Sequence, residues 1–500
     1  MQISPVRKIS ANLIISSCII SAGINYASAF ESKATRLLKN QDLSVPREVE
    51  SVKIKRRRVI NINELKHLVK DNNKELEIMK YQIEERKYLL KNKISAWYPS
   101  LNFSSNGLPQ YLEGSVENDL SVNTTSRQWK SSLNATVQWD IINPSRRADI
   151  NEAKDQFENA KLSYLIRYRD VYLKALNNFF MLQKSNEYVR IAKDSIKTSK
   201  TSLKEAEIRL ESGIGTKFEV LEAKSQLAKD NQFLIKKLGE KKINQRKLAY
   251  ILNLNQTTNP VIISKPNKIG KWNASLEESI ISAYLYREEF EQLKMQVSIN
   301  NNQAKSTLAY TKPTFSLYNT YNTSFAQGES NVIDPNDENN IYSQSNTVGI
   351  KFDWKIFNGG SVKANYNSKK AKSKEIMANF QLKKSQVRKE VEESFFNLKI
   401  AEKNISNTIL EVDSAKESLR LAIIRLKAGI TTQREVVTNQ RDLTQAEVNY
   451  IEAITDYNSN LVNLRQQTGI DSINECIIKA DQNKAKESLP YSTEKCLKVL

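Results

Sequence analysis

The chain has 500 residues with 76 Lys and Arg against 56 Asp and Glu, a formal net charge of +20 and a pI near 9.5. Its single histidine, His67, rules out a His-based metal site or a Ser-His-Asp triad, and no Gly-rich phosphate loop is present, so neither catalysis nor a cofactor is expected. The positive charge lies in mixed-sign runs such as KKLGEKKINQRK, which read as solvated helix surface and not as a nucleic-acid footprint.

Residues 1–29 have the form of an export signal: Arg7-Lys8, the apolar run ANLIISSCIISAGI, then Ala27-Ser28-Ala29. Cleavage after Ala29 leaves Phe30 first; the alternative, a lipobox at Ile15-Ser16-Ser17-Cys18, acylates Cys18. Residues 30–60 are polar and basic, with KIKRRR at 53–58, and are expected to form a flexible arm. Ile62 to Ala96 has helical periodicity and closes at Trp97-Tyr98-Pro99. A strand at 99–105, a polar loop at 107–128 and a strand at Trp129–Ile142 then predict a hairpin. The second strand puts Trp129, Leu133, Ala135, Val137, Trp139 and Ile141 on one face and polar residues on the other. A long helix follows to Ser212, breaks at ESGIGT, and a second helix returns from Lys217 to Leu254.

Residues 255–274 are a proline-containing linker, after which the pattern restarts. A helix at 275–310 leads through Pro313 to a strand at 314–325 with Phe315, Leu317, Tyr321 and Phe325. A loop at 326–346 carries Glu329, Asp334, Asp337 and Glu338. From Thr347 the chain alternates again, with Val348, Ile350, Phe352, Trp354 and Ile356 on one face. Beyond Gly359-Gly360 lie about 68 helical residues, on the order of 100 Å of rod. Leu398, Ala401, Ile405, Thr408, Val412, Ala415, Leu419, Ala422 and Leu426 form a coiled-coil seam along it. The turn AGITT and a helix at 432–468 end at Gly469, and a mixed tail holds Cys476 and Cys496, which either bridge or remain free thiols.

Length alone suggests about three domains, but the chain is one design built twice. Trp139 matches Trp354, Phe179-Phe180 matches Phe395-Phe396, and Gly213 matches Gly429, each shifted by about 215 positions. The repeats span 61–254 and 275–469. Four strands with apolar, aromatic-rich faces and polar opposite faces carry the signature of a membrane barrel wall, with Trp129, Trp139, Trp354, Tyr98 and Tyr321 as membrane-interface aromatics near the strand ends. Four strands cannot close a barrel, and an open edge in lipid leaves unpaired backbone groups, so several chains must contribute.

The duplication, the strand entries AWYPSL and KPTFSL, the exits WDIINP and WKIFNGG, and the turns RLESGIGTKFEVLEAKSQLA and RLKAGITTQREVVTNQRDLTQA together resemble the TolC-like outer-membrane efflux proteins over about residues 61–470. The resemblance implies a mainly α, internally duplicated fold: long antiparallel coiled-coil helices plus four strands per chain. It closes as a homotrimer with a 12-strand barrel in outer-membrane lipid and a 12-helix periplasmic tunnel. It further implies a passive exit duct of a tripartite efflux or type I secretion system, served by a periplasmic adaptor and an inner-membrane transporter (ABC, RND or similar). Arg209, Leu210 and Gly213, with Arg425, Leu426 and Gly429, would be the adaptor-docking tips. Glu435 and its counterpart Glu219 would line the aperture, while Thr438 stands where the family has a second carboxylate. A second reading from a different class is an exported coiled-coil protein that tethers envelope layers without transport; a third is a cytosolic basic scaffold, which a cleaved signal excludes.

Overall fold

The computed structural model describes residues 48–116, 124–330 and 339–470. The signal and lipidation motifs, Phe30, Asp334, Asp337, Glu338, Cys476 and Cys496 lie outside them. In chain order the elements are α1 (Val49–Val52), β1 (Arg56–Val59), α2 (Leu65–Asn72), α3 (Lys74–Ser95), β2 (Ser100–Val116), β3 (Thr124–Ile142), α4 (Arg146–Glu211), α5 (Lys217–Ile251), β4 (Thr258–Val261), α6 (Leu276–Tyr286), α7 (Glu288–Ala309), β5 (Thr314–Ser330), β6 (Asn339–Asp353), α8 (Ser361–Lys427) and α9 (Gln433–Thr468). They fall into two compact units. One comprises Lys91–Asp149 and Lys305–Tyr366; the other comprises Glu50–Leu90, Ile150–Ala304 and the chain from Asn367.

The first unit is built on an antiparallel sheet of order β2-β3-β5-β6. Each repeat supplies one hairpin, and the β3–β5 ladder joins them. Register carries the apolar positions across all four strands: Leu101 faces Val137, Trp139 faces Leu317, Leu317 faces Ile350, and Phe315 faces Phe352. The opposite face is polar, with Asn134 against Asn322 and a hydroxyl pair between Thr136 and Thr320 at 3.1 Å. Gly349 leaves room for a ring, since a Cβ there would stand 2.7 Å from the Tyr318 Oη. Among the described residues the outer edges of β2 and β6 pair with no strand.

The strands are longer than the periodicity indicated. The expected loops at 107–128 and 326–346 are largely β-structure, because β2 runs to Val116, β3 starts at Thr124, β5 reaches Ser330 and β6 starts at Asn339. In these outer parts apolar residues such as Leu108, Tyr111, Leu112, Ile341 and Tyr342 are interspersed with polar and small ones and keep no strict alternation. Apolar alternation fades there although backbone pairing continues. At the other end, Trp354 and Ile356 lie past the last strand residue, Asp353.

In the second unit each repeat builds a core. Ile60, Leu65, Val69, Leu76, Val171, Phe179, Phe180, Leu182, Leu248 and Leu252 pack as one. Phe290, Val387, Val391, Leu398, Tyr457, Leu461 and Leu464 pack as another, together with Trp272. The seam on α8 is in place: Leu398, Ala401, Ile405, Leu419, Ala422 and Leu426 are buried, with Thr408, Val412 and Ala415 half-buried. The duplicated Phe pair differs, since Phe179 and Phe180 are both buried while Phe396 is exposed. No helix among the described residues is long and apolar enough to cross a membrane.

Two assignments need correcting. Part of the basic arm of 30–60 is ordered: Arg56–Val59 pair in parallel with Thr258–Val261, so the expected linker 255–274 supplies a strand. Linker residues Ile262 and Trp272 are also buried. A four-residue strand pairing across about 200 positions has no local periodicity to announce it.

Toward the turns the contact between α4 and α9 is polar, whereas farther from them Tyr188 and Ile191 of α4 pack on Ile451 of α9. Gln440 donates to the Ser199 hydroxyl at 2.6 Å and the Ser195 carbonyl at 3.1 Å, and Gln433 donates to the Ser202 hydroxyl. Ser199 in turn donates to Asp230 of α5, which also accepts from Gln226 at 3.0 Å. Farther along α9, burial raises the Glu447 carboxyl above the usual range; Asp194 and Glu187 of α4 add to this, while Arg190 of α4 and Lys416 of α8 oppose it. Burial raises Asp456 likewise, with Glu452 adding and Lys184 opposing. A carboxylate raised on folding contributes stability that is full below its unfolded value and is lost as pH rises through its folded value. The Glu447→Gln, Asp456→Asn double variant should therefore melt above the wild type at pH 7 and above. The gap should close as pH falls into the carboxylate range; a pH-independent gap would contradict this assignment.

Candidate functional site

The site expected from sequence is the pair of helical turns, both in the second unit. At the end of α4 the Gly213 N–H bonds to the Leu210 carbonyl at 3.0 Å and the Ile214 N–H to the Arg209 carbonyl at 3.1 Å. At the end of α8 the Gly429 N–H bonds to Leu426 at 3.1 Å and the Ile430 N–H to Arg425 at 2.9 Å. Both are Schellman caps, and both glycines have the required positive φ, +76° and +71°. The apolar residue after each glycine is turned outward: Ile214 is 71% exposed and Ile430 70%. Leu210 is partly exposed, whereas Leu426, expected at the tip surface, is only 3% exposed and packs with Leu419, Ala422 and Val436. The same Leu is both the last seam position of α8 and a tip residue, and the seam takes it.

The two helices that leave the turns start differently. Thr216 and Glu219 form a reciprocal capping box, the Thr hydroxyl accepting from the Glu219 N–H at 3.3 Å and the carboxylate from the Thr216 N–H at 3.2 Å. Thr432 makes no side-chain cap. Its N3 carboxylate, Glu435, accepts from Arg425 at 2.8 Å and from the Thr431 hydroxyl. Arg425 and Glu435, drawn separately from sequence as docking and aperture residues, are thus one ion pair that ties α8 to α9 beside the turn. Arg209 reaches the Leu426 carbonyl at 3.4 Å, and Arg434 pairs with Glu222 at 3.2 Å, linking the turns of the two repeats. Thr438 is half-buried and accepts from Arg441 at 3.5 Å.

The aromatics expected at the membrane interface lie in the first unit. The Trp139 indole donates to the Trp97 carbonyl at 3.0 Å, and the Trp354 indole to the Thr311 carbonyl at 2.9 Å. The acceptors stand two residues before Pro99 and Pro313, so each repeat closes its helix-to-strand corner the same way. Tyr98 is exposed at one of these corners, and Trp129 stacks obliquely on Tyr111 at 5.2 Å. Tyr321 is not near a strand end, because β5 continues past it to Ser330.

Sequence reading missed a charged cluster where α6 breaks into α7. Arg287, whose side chain is 6% exposed, donates to Glu390 at 2.6 Å and to Gln467 and Glu289 at 2.9 Å. Arg169 of α4 pairs with Glu288 and lies 3.9 Å from Glu289. The Arg-Glu-Glu triplet at 287–289, interrupting an otherwise helical run, was the available signal. The buried Gln433–Gln440 spacing of seven, facing serines on α4, was another.

The profile of the family described as "Outer membrane efflux protein" matches residues 65–254 and 282–470, close to the two repeats. No curated protein matches the sequence. Among solved structures, the CmeC outer membrane channel of Campylobacter jejuni superimposes with a TM-score of 0.68 at 15% identity, over 82% of this chain and 85% of that one. The outer membrane protein VceC of Vibrio cholerae gives 0.66 at 14%, over 82% and 96%. The MtrE outer membrane channel of Neisseria gonorrhoeae, described in its open state, gives 0.62 at 14%, over 82% and 88%. At such identities the likeness speaks for the fold.

Proposed function

From the premise that the chain belongs to the outer membrane efflux protein family, we propose that it is a passive exit duct of the outer membrane, formed by three copies and opened at its helical turns by a periplasmic adaptor. The carrying observation is the four-stranded sheet with one apolar, exposed face, one polar face and two edges that, among the described residues, pair with no strand. In lipid, such edges are tolerable only when closed on other strands. Three copies close a 12-strand barrel whose polar faces line a lumen. The α8 residues Phe396, Ile400, Leu410 and Leu421 and the α5 residues Phe218, Leu221, Ile235 and Ile243 are also exposed in the single chain, which suits burial against neighbouring copies in a helical tunnel. A tether between envelope layers gives no role to an apolar strand face.

Energy for transport would come from an inner-membrane transporter, of the ABC, RND or a similar class, acting in drug efflux or type I secretion. The exposed Ile214 and Ile430 suit an adaptor contact. Native mass spectrometry in detergent should give three chains per particle; a monomer or dimer would defeat the reading. Glu435 and Glu219 are the carboxylates proposed at the aperture, with Glu435 partly neutralised by Arg425. A pair this exposed is worth about 0.2–1 kcal/mol. Arg425→Ala should therefore raise the open probability in a bilayer by no more than about fivefold, since 1.4 kcal/mol corresponds to tenfold. No change would remove Arg425 from the gate.

A further inference from the structure

The basic strand β1 has no part in the duct as described. It pairs with β4 on one side only, the Arg56 N–H bonding to the Thr257 carbonyl at 3.1 Å and the Ile60 N–H to the Val261 carbonyl at 2.9 Å. In a parallel ladder alternate residues face the partner, so Arg57 and Val59 direct their N–H and C=O groups to the other side. Among the described residues no strand covers that edge. The strand is held firmly: β4 is clamped to α5 by Gln245 on the Pro260 carbonyl at 3.1 Å and Arg246 on the Thr258 carbonyl at 2.7 Å. Ile60 and Ile262, just past the two strands, are buried in the core.

The edge is rich in cations. Among the described residues Arg56, Arg57, Arg58, Lys193 of α4 and Lys241 of α5 make no ion pair with a carboxylate; Glu50 is taken by Lys53 and Lys55. Burial together with the nearby Lys193 and Arg57 lowers the Lys241 pKa, as expected where cations gather without a counter-ion. Charged side chains on an edge can simply deter aggregation. That role does not call for further cations converging from two helices.

We propose that the free edge of β1 docks an extended, acidic segment of a partner protein, which adds a third strand to the β1–β4 sheet. Its backbone pairs with Arg57 and Val59, and the carboxylates of one of its faces meet Arg57, Lys193 and Lys241, while Arg56 and Arg58 lie on the other face of the sheet. A preformed edge adds little ordering cost on the protein's side. The proposal concerns a surface remote in sequence from the turns and does not depend on transport.

The test uses the full-length protein in detergent and a fluorescent peptide of about ten residues alternating Glu and Val, the length of an extended strand. Binding is read by anisotropy and should weaken with salt. Arg57→Glu should weaken it by about tenfold or more. Val59→Pro removes an outward donor without altering charge or the β4 ladder, and should also weaken binding by about tenfold, as should methylation of alternate peptide nitrogens. Unchanged thermal melting checks that both variants fold. Equal binding by the Pro variant and the methylated peptide would overturn strand addition. So would an absence of peptide binding, whether from an edge covered by a second copy or with binding transferred to purified peptidoglycan or phosphatidylglycerol vesicles.

Discussion

Ile350→Arg should abolish insertion into lipid while leaving the helical unit folded. Ile350 lies on the apolar face of β6, opposite Leu317, and is 69% exposed in the single chain. Its neighbours on that face are Val348 and Phe352 along the strand and Trp139 one strand farther across. A cation on the lipid face of a barrel costs about 2–4 kcal/mol near the midplane. In the proposed barrel of three copies that cost falls three times in one closed wall, so the loss should exceed that of a single site. Ser345→Arg provides the control, because Ser345 opposes Asn322 on the polar face and its side chain would enter water. Reconstitution into liposomes, scored by protection of the strands from protease, separates the two. Equal insertion by both variants would mean that the apolar face does not meet lipid.

The second large effect belongs to Arg287. Its guanidinium is buried beside Glu289, Glu390 and Gln467, and Glu288 and Arg169 lie in the same cluster. Removing one partner of a buried pair leaves the others charged and unsolvated, a loss of about 3–5 kcal/mol. Arg287→Met keeps the volume and removes the charge, so chemical denaturation should report a loss of that order. Arg287→Met combined with Glu289→Gln and Glu390→Gln should recover much of it, since no orphan charge then remains. Burial opposes ionisation of Glu289, but its bond to Arg287 and the neighbouring Arg169 outweigh that and hold its carboxyl below the usual range. A depressed carboxylate contributes stability above its unfolded value and loses it as pH falls through its folded value. Acid should therefore destabilise the wild type more steeply than the triple variant. Failure of the triple variant to recover stability would show that the cluster serves packing and not charge balance.

Much of the fold is legible in the sequence because its periodicities are long. Along α8 the seam from Leu398 to Leu426 is buried or half-buried at every position, and a period of three and four needs only Leu398, Ala401 and Ile405 to declare itself. The turns are equally legible, since a glycine at positive φ after a helix has few alternatives to a cap. The strand ends were not legible. In β2 the sequence SSNGLPQYLEG contains Gly, Pro and polar residues that favour a loop locally, and only the ladder to β3 makes it a strand. Partners were harder still: nothing in the spacing joins Arg425 to Glu435, or Arg287 to Glu390, because each pair depends on how helices meet. The site was therefore readable as positions and not as contacts. Leu426 illustrates the difference, a tip residue by motif and a core residue by packing.

The most direct test of the central claim is single-channel recording of the purified protein in a planar bilayer. A passive duct predicts discrete, uniform conductance steps with no added nucleotide or ion gradient beyond the applied voltage, and none from Ile350→Arg. Well-folded trimers that insert but never conduct, or protein that stays in solution, would contradict it.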